Sequence, residues 1–198
     1  MKRQVAVLIS GRGSNLAALL AAANDPAYPA EIALVLSNRA DAAGLKLSNR
    51  STVVPHGPDR QKHEAAIDEI LQRHRIDIVC LAGYMRLLTP FLVDRWRGRM
   101  LNIHPSLLPV FPGLNTHARA LQAGVKLHGC TVHLVTEQMD GGPILAQAVV
   151  PVLPDDTEQV LAARVLAQEH LLYPLALERF AGGPGRVLSP QAALINAP

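Results

Sequence analysis

The chain reads as an α/β protein with a Rossmann-like fold: a mostly parallel sheet flanked by helices, an antiparallel strand pair and a long C-terminal helix. Three observations predict this. Short runs that are wholly apolar, as at 5–9, or nearly so, as at 77–82, alternate with segments of helical period. The first of these runs passes through Ser10-Gly11-Arg12-Gly13-Ser14-Asn15 into the helix formers of 16–23, a strand, glycine turn and helix in succession. Toward the C-terminus, two apolar runs flank Asp140-Gly141-Gly142 and lead into a long alanine-rich stretch, the pattern of a strand pair closed by a helix.

Composition sets the bounds. A chain of 198 residues suggests a single domain, expected over 1–181 with a loosely held tail at 182–198. With 49% hydrophobic residues it can bury a sizeable core. The formal charge is only +3 and the basic residues form no run, so no nucleic-acid groove is indicated. A pI near 9.1 weakly favours an anionic small molecule. Cys80 and Cys130 both sit in apolar runs and read as buried thiols rather than a disulfide. No metal-ligand spacing is present, and no metal is expected. The first strand starts almost at the N-terminus, leaving no room for a signal peptide, and no apolar run approaches a membrane span. A cytoplasmic protein is expected.

The elements follow in order. Residues 5–9 form the first strand and 16–23 the first helix. Residues 31–37 form a second strand, 40–47 a short helical segment, and Val53-Val54 a brief third strand. The spacing of Ala66, Ile67, Ile70 and Leu71 makes 59–74 an amphipathic helix. A strand over 77–82 runs into Gly83-Tyr84-Met85-Arg86-Leu87-Leu88, a segment unusually apolar for a loop. Thr89-Pro90 opens a short helix, with Thr as N-cap and Pro at the first position. A strand over 100–104 stops at Pro105, which cannot donate to a ladder. A helix over 116–123, strands over 129–136 and 144–152, and a helix opened by Thr157-Glu158 and running to about Phe180 complete the chain. An exposed last strand would offer an edge for pairing, so a monomer and a homodimer both fit.

Side chains alternate along a strand, so Asn102 and His104 share a face at the carboxyl end of theirs. Three strands, ending near Ile9, Ala82 and His104, deliver glycine-rich or polar loops at those ends. In an open α/β sheet that is the edge where ligands bind. The turn from Gly11 to Asn15 can hold a phosphate on its amides, or serve as a plain turn capped by Ser14 or Asn15. The 83–88 loop can wall a pocket for a flat aromatic ring, or be a loop pinned into the core. Asp140 can serve the turn alone, or join Asn102 and His104. As a set these three contain no serine or cysteine nucleophile, which fits direct transfer between two bound substrates. An amide and a protonated imidazole would stabilise an oxyanion, and a neighbouring carboxylate favours the charged imidazole.

These motifs carry a resemblance. Asn102-Ile103-His104-Pro105-Ser106-Leu107-Leu108-Pro109, Phe111-Pro112-Gly113, and His133 followed by Asp140-Gly141-Gly142-Pro143 are similar to those of the folate-dependent formyltransferases. So are Ile9-Ser10-Gly11-Arg12-Gly13-Ser14-Asn15-Leu16 and Leu81-Ala82-Gly83-Tyr84-Met85-Arg86. The motifs span roughly residues 3 to 180 in family order. The resemblance implies transfer of a formyl group from 10-formyltetrahydrofolate to the amine of glycinamide ribonucleotide. It implies catalytic roles for Asn102, His104 and Asp140, with His104 as proton donor and oxyanion partner and Asp140 holding it protonated. It assigns Gly11, Arg12, Gly13, Ser14 and Asn15 to the substrate phosphate and Glu169 to the ribose. It assigns Arg60, Met85, Arg86, Leu87, Leu88, Thr136, Glu137, Gln138 and Met139 to the folate. The N-terminal half would thus bind phosphate, and the C-terminal half would hold the catalytic residues and folate. Two features depart from the family. Asn115-Thr116-His117 stands where His-Thr-His is common, and the segment from Gly44 to Arg60 is short.

Overall fold

The computed structural model describes residues 1–182 and 194–196. In chain order the elements are β1 (Arg3–Ile9), α1 (Ser14–Ala23), β2 (Ala30–Ser37), a 3-10 turn (Ala43–Leu47), β3 (Ser51–Val53), α2 (Arg60–Arg73) and β4 (Ile78–Leu81). There follow α3 (Pro90–Arg95), β5 (Met100–His104), α4 (Thr116–Gln122), β6 (Leu127–Leu134), β7 (Ile144–Pro151), α5 (Glu158–Ala181) and β8 (Leu194–Asn196). Among the described residues the strands form one sheet in the order β3-β2-β1-β4-β5-β6-β7-β8. Strands β1 to β5 are parallel, β6 is antiparallel to both its neighbours, and β8 lies parallel to β7. The expected α/β architecture is therefore what the chain adopts. Two details differ. The edge of β7 is covered by β8 rather than left open. Of the tail expected beyond Ala181, residues 183–193 and 197–198 lie outside the described residues.

The chain winds outward from β1 through β2 to β3, then returns across β1 to place β4 on its other side. The order reverses between β1 and β4, which opens a crevice at their carboxyl ends. The register carries that edge across the sheet: Leu8 pairs with Leu81, Leu81 with Asn102, and Asn102 with His133. Ser10 and His104 each lie two residues beyond this row.

Alternation along β1 builds the core on both faces. Val5, Val7 and Ile9 pack with residues of α1 and α5, while Ala6 and Leu8 pack with Ile67 and Leu71 of α2 and Leu92 of α3. Thr89 occupies the N-cap position before Pro90, as expected, but its hydroxyl makes no cap to the helix. It donates instead to the buried carboxylate of Glu64, which also accepts from the Thr89 amide at 2.8 Å.

Helix α5 is anchored beneath the carboxyl ends of the central strands. The fully buried Tyr173 hydroxyl lies 3.0 Å from the Leu81 carbonyl and 3.2 Å from that of Leu101. Tyr173→Phe leaves both carbonyls without this donor and is expected to lower unfolding free energy by about 1–3 kcal/mol. Urea denaturation of the two proteins measures it.

Candidate active site

Residues 135–143 connect β6 to β7 as a loop, since β6 ends at Leu134 rather than at the expected residue 136. The glycines matter here. A Cβ on Gly142 would fall 1.8 Å from the Leu134 carbonyl oxygen, so the close return of the loop onto β6 requires glycine there. This closure presents Asp140, at φ 53°, to the end of β5. Its Oδ2 accepts from the Gly113 amide at 2.8 Å and lies 3.5 Å from Nδ1 of His104.

The second ring nitrogen of His104, Nε2, lies 3.1 Å from the Phe111 carbonyl oxygen. That carbonyl can only accept, so Nε2 carries a proton. Nδ1 is then left facing Asp140 at ion-pair rather than hydrogen-bond distance. Asn102 stands beside it. Its amide nitrogen is 3.1 Å from Nε2 of His133, whose Nδ1 donates to the Leu134 carbonyl at 3.0 Å. Burial is the main influence on the His133 ring and lowers its pKa, keeping it neutral. With Nδ1–H engaged, its Nε2 accepts from Asn102 and orients that amide. The Oδ1 of Asp140 is 3.7 Å from the same ring nitrogen.

These side chains lie at one end of a cavity of about 530 Å³. Asn102, His104 and Asp140 line it together with Met85, Arg86, Leu87, Leu88, Thr136, Glu137, Gln138 and Met139. The structure thus brings together every residue that the sequence reading placed in the catalytic set or around the folate, except one. Arg60 is the exposed first residue of α2 and does not line this cavity. Met85 and Met139 are 72% and 57% exposed, which leaves apolar surface open to a flat ligand. His133, Gly113, Leu114 and Val135 also line the cavity and were not assigned from the sequence. The signal for His133 was its place opposite Asn102, which requires the β5–β6 register.

The glycine turn lies across the switch point. Gly13 is the N-cap of α1, at φ 79°, and no side chain caps the helix. Neither Ser14 nor Asn15 takes that role, so the turn stays open to an anion. Gly13 and Gly44 are in close contact: a Cβ on Gly13 would lie 2.8 Å from the Gly44 Cα. The short segment after Gly44 therefore has a use, since the 3-10 turn braces the glycine turn and Gly44 N donates to the Gly11 carbonyl at 3.0 Å. Asn15 Nδ2 donates to Glu169 Oε2 at 2.7 Å, while Asn15 Oδ1 is buried without a partner. Burial raises the Glu169 pKa, and the bond from Asn15 opposes it.

A histidine pair lies behind the site. Nδ1 of His117 and Nε2 of His128 are 3.2 Å apart, and His128 is 1% exposed. Burial, then His117 and His104, push the His128 pKa down from 6.5 to about 4. The folded chain therefore binds fewer protons than the unfolded one. The stability this neutral ring represents is complete above pH 6.5 and is lost as pH falls toward 4, a loss of about 3 kcal/mol. The thermal midpoint should drop through that window, and His128→Gln should flatten part of the drop.

An amide, an imidazole and a carboxylate thus meet at the carboxyl edge of the sheet, an arrangement suited to group transfer. The chain matches the formyl transferase family over residues 3–177 and belongs to it. It is 43% identical to phosphoribosylglycinamide formyltransferase of Escherichia coli K12, over 90% of this chain and 87% of that protein. The crystal structure of phosphoribosylglycinamide formyltransferase from Brucella melitensis is 54% identical, with a TM-score of 0.88 over 92% of this chain and 97% of that one. The human trifunctional purine biosynthetic protein adenosine-3 is 48% identical over 92% of this chain, which spans only 19% of that protein's length. Among the described residues no helix is long and apolar enough to cross a membrane.

Proposed function

We propose that the chain transfers the formyl group of 10-formyltetrahydrofolate to the amine of glycinamide ribonucleotide, giving the formylated ribonucleotide and tetrahydrofolate in purine synthesis. The observation that carries this is the meeting of Asn102, His104 and Asp140 at one end of a cavity whose other walls suit a folate ring. The likeness to phosphoribosylglycinamide formyltransferases supports the choice of acceptor.

The cavity lining and the family resemblance support the following roles. The phosphate rests on the turn from Gly11 through Arg12, Gly13 and Ser14 to Asn15, and Glu169 beside Asn15 takes the ribose. The folate lies against Met85, Arg86, Leu87, Leu88 and the loop from Thr136 to Met139, with Arg60 reaching it from outside the cavity. The substrate amine attacks the formyl carbon and the carbonyl electron pair moves onto oxygen; its return reforms the carbonyl and breaks the bond from the formyl carbon to the folate nitrogen. The Asn102 amide and the Nδ1–H of His104 stabilise that oxyanion. Asp140 takes the proton lost by the attacking nitrogen, directly or through one water, while His104 supplies the proton that leaves with the folate nitrogen. A cytoplasmic setting and action as a monomer or homodimer accord with this reading.

The test mixes purified protein with 10-formyltetrahydrofolate and follows deformylated folate with and without glycinamide ribonucleotide. Release that depends on the ribonucleotide and yields its formylated form is expected. Release without it would assign transfer to water instead, and no release under either condition would overturn formyl transfer.

A further inference from the structure

Ser10 lies between the two halves of the site and is claimed by neither. It is the first residue after β1, 7% exposed, immediately before the glycine turn. Its hydroxyl accepts from the Met85 amide at 2.8 Å and donates to Asn38 Oδ1 at 2.6 Å. Its own amide donates to the Gly83 carbonyl at 3.1 Å. One residue further on, the Gly11 carbonyl is held by Gly44. The backbone that begins the phosphate turn is thus bonded directly to the backbone that carries Met85 and Arg86, the cavity wall.

We infer that the Ser10 hydroxyl is a positioning residue for the transfer step: it sets the spacing between the phosphate turn and the folate wall. The inference rests on the function proposed above. The acceptor amine is placed by its phosphate on one loop, and the formyl group by the folate ring on the other. The bonds of Ser10 to Met85 and Gly83 fix the separation of the two loops within the protein itself. Asn38, anchored at the end of β2, turns the Ser10 proton away and leaves the oxygen lone pair toward Met85. A misplacement of about 1 Å between reacting groups can lower a rate by about a hundredfold without weakening the binding of either partner. Such a residue acts on kcat rather than on affinity.

The test compares wild type, Ser10→Ala and Ser10→Thr. Calorimetry gives the dissociation constants of glycinamide ribonucleotide alone and of 10-formyltetrahydrofolate alone, and steady-state assays give kcat. Hydrogen exchange reads the Met85 amide. In Ser10→Ala we expect kcat to fall about tenfold to a hundredfold. Both dissociation constants stay near wild type, the thermal midpoint falls by a few degrees as the two hydrogen bonds are lost, and the Met85 amide exchanges faster. Ser10→Thr, which keeps the hydroxyl, recovers most of the rate. A Ser10→Ala protein as fast as wild type overturns the inference. So does one that loses both affinities along with its rate, since that marks simple structural support. A Ser10→Thr protein that folds as wild type yet stays as slow as the alanine variant also overturns it. A wild-type chain that transfers no formyl group fails at the first step, and the functional reading then falls together with this one.

Discussion

Replacing His104 with alanine is expected to lower kcat by about a thousandfold while the affinity for glycinamide ribonucleotide stays within a few-fold of wild type. The imidazole is asked to do two things, and each alone is worth about 10²–10³ or more: donating to a developing oxyanion and delivering a proton to the leaving nitrogen. Its geometry suits both. The Phe111 carbonyl holds Nε2, so the ring presents Nδ1 toward Asp140 and the cavity. The phosphate turn and Glu169 belong to different elements and should be undisturbed. Steady-state kinetics set beside ribonucleotide binding measure the two effects separately. Equal loss of rate and of binding would contradict the role assigned to His104.

The second large effect is expected from Asp140→Asn, which should lower kcat by about a hundredfold or more. The substitution removes the negative charge and little else. Asparagine tolerates the positive φ of 53° at this position, and its carbonyl can still accept from the Gly113 amide. The loop should therefore keep its shape, and the thermal midpoint should change little. What is lost is the carboxylate that stands 3.5 Å from His104, the group proposed to take the proton of the attacking amine. Asp140→Ala removes the Gly113 bond as well and should be slower still, with a looser loop. An Asp140→Asn protein that turns over at the wild-type rate would show that Asp140 serves the turn only.

The contrast between these residues and Ser10 shows where the sequence was informative. The pair Asn102 and His104 could be read from it because strand alternation and a terminating proline are local facts. The same holds for the glycine turn and for the closing helix α5, announced by Thr157, whose hydroxyl accepts from the Val160 amide. The convergence of three loops followed from the parallel order of β1, β4 and β5. His133 could not be assigned in the same way, since nothing near it in the chain says that it lies opposite Asn102. That depends on the antiparallel register of β6. The bond from Met85 to Ser10 spans β1 and β4, and the contact of Gly13 with Gly44 depends on a turn with almost no periodic signal. Thr89 read correctly as an N-cap position, yet its hydroxyl serves Glu64, because a buried carboxylate on α2 competes successfully for it.

The most direct test of the account uses 10-formyltetrahydrofolate carrying a labelled formyl group, mixed with excess enzyme and glycinamide ribonucleotide and quenched within a single turnover. Direct transfer between two bound substrates predicts that the label passes from folate to the ribonucleotide amine, with none attached to the protein at any time. Label found on the protein before it appears in the ribonucleotide would contradict the account.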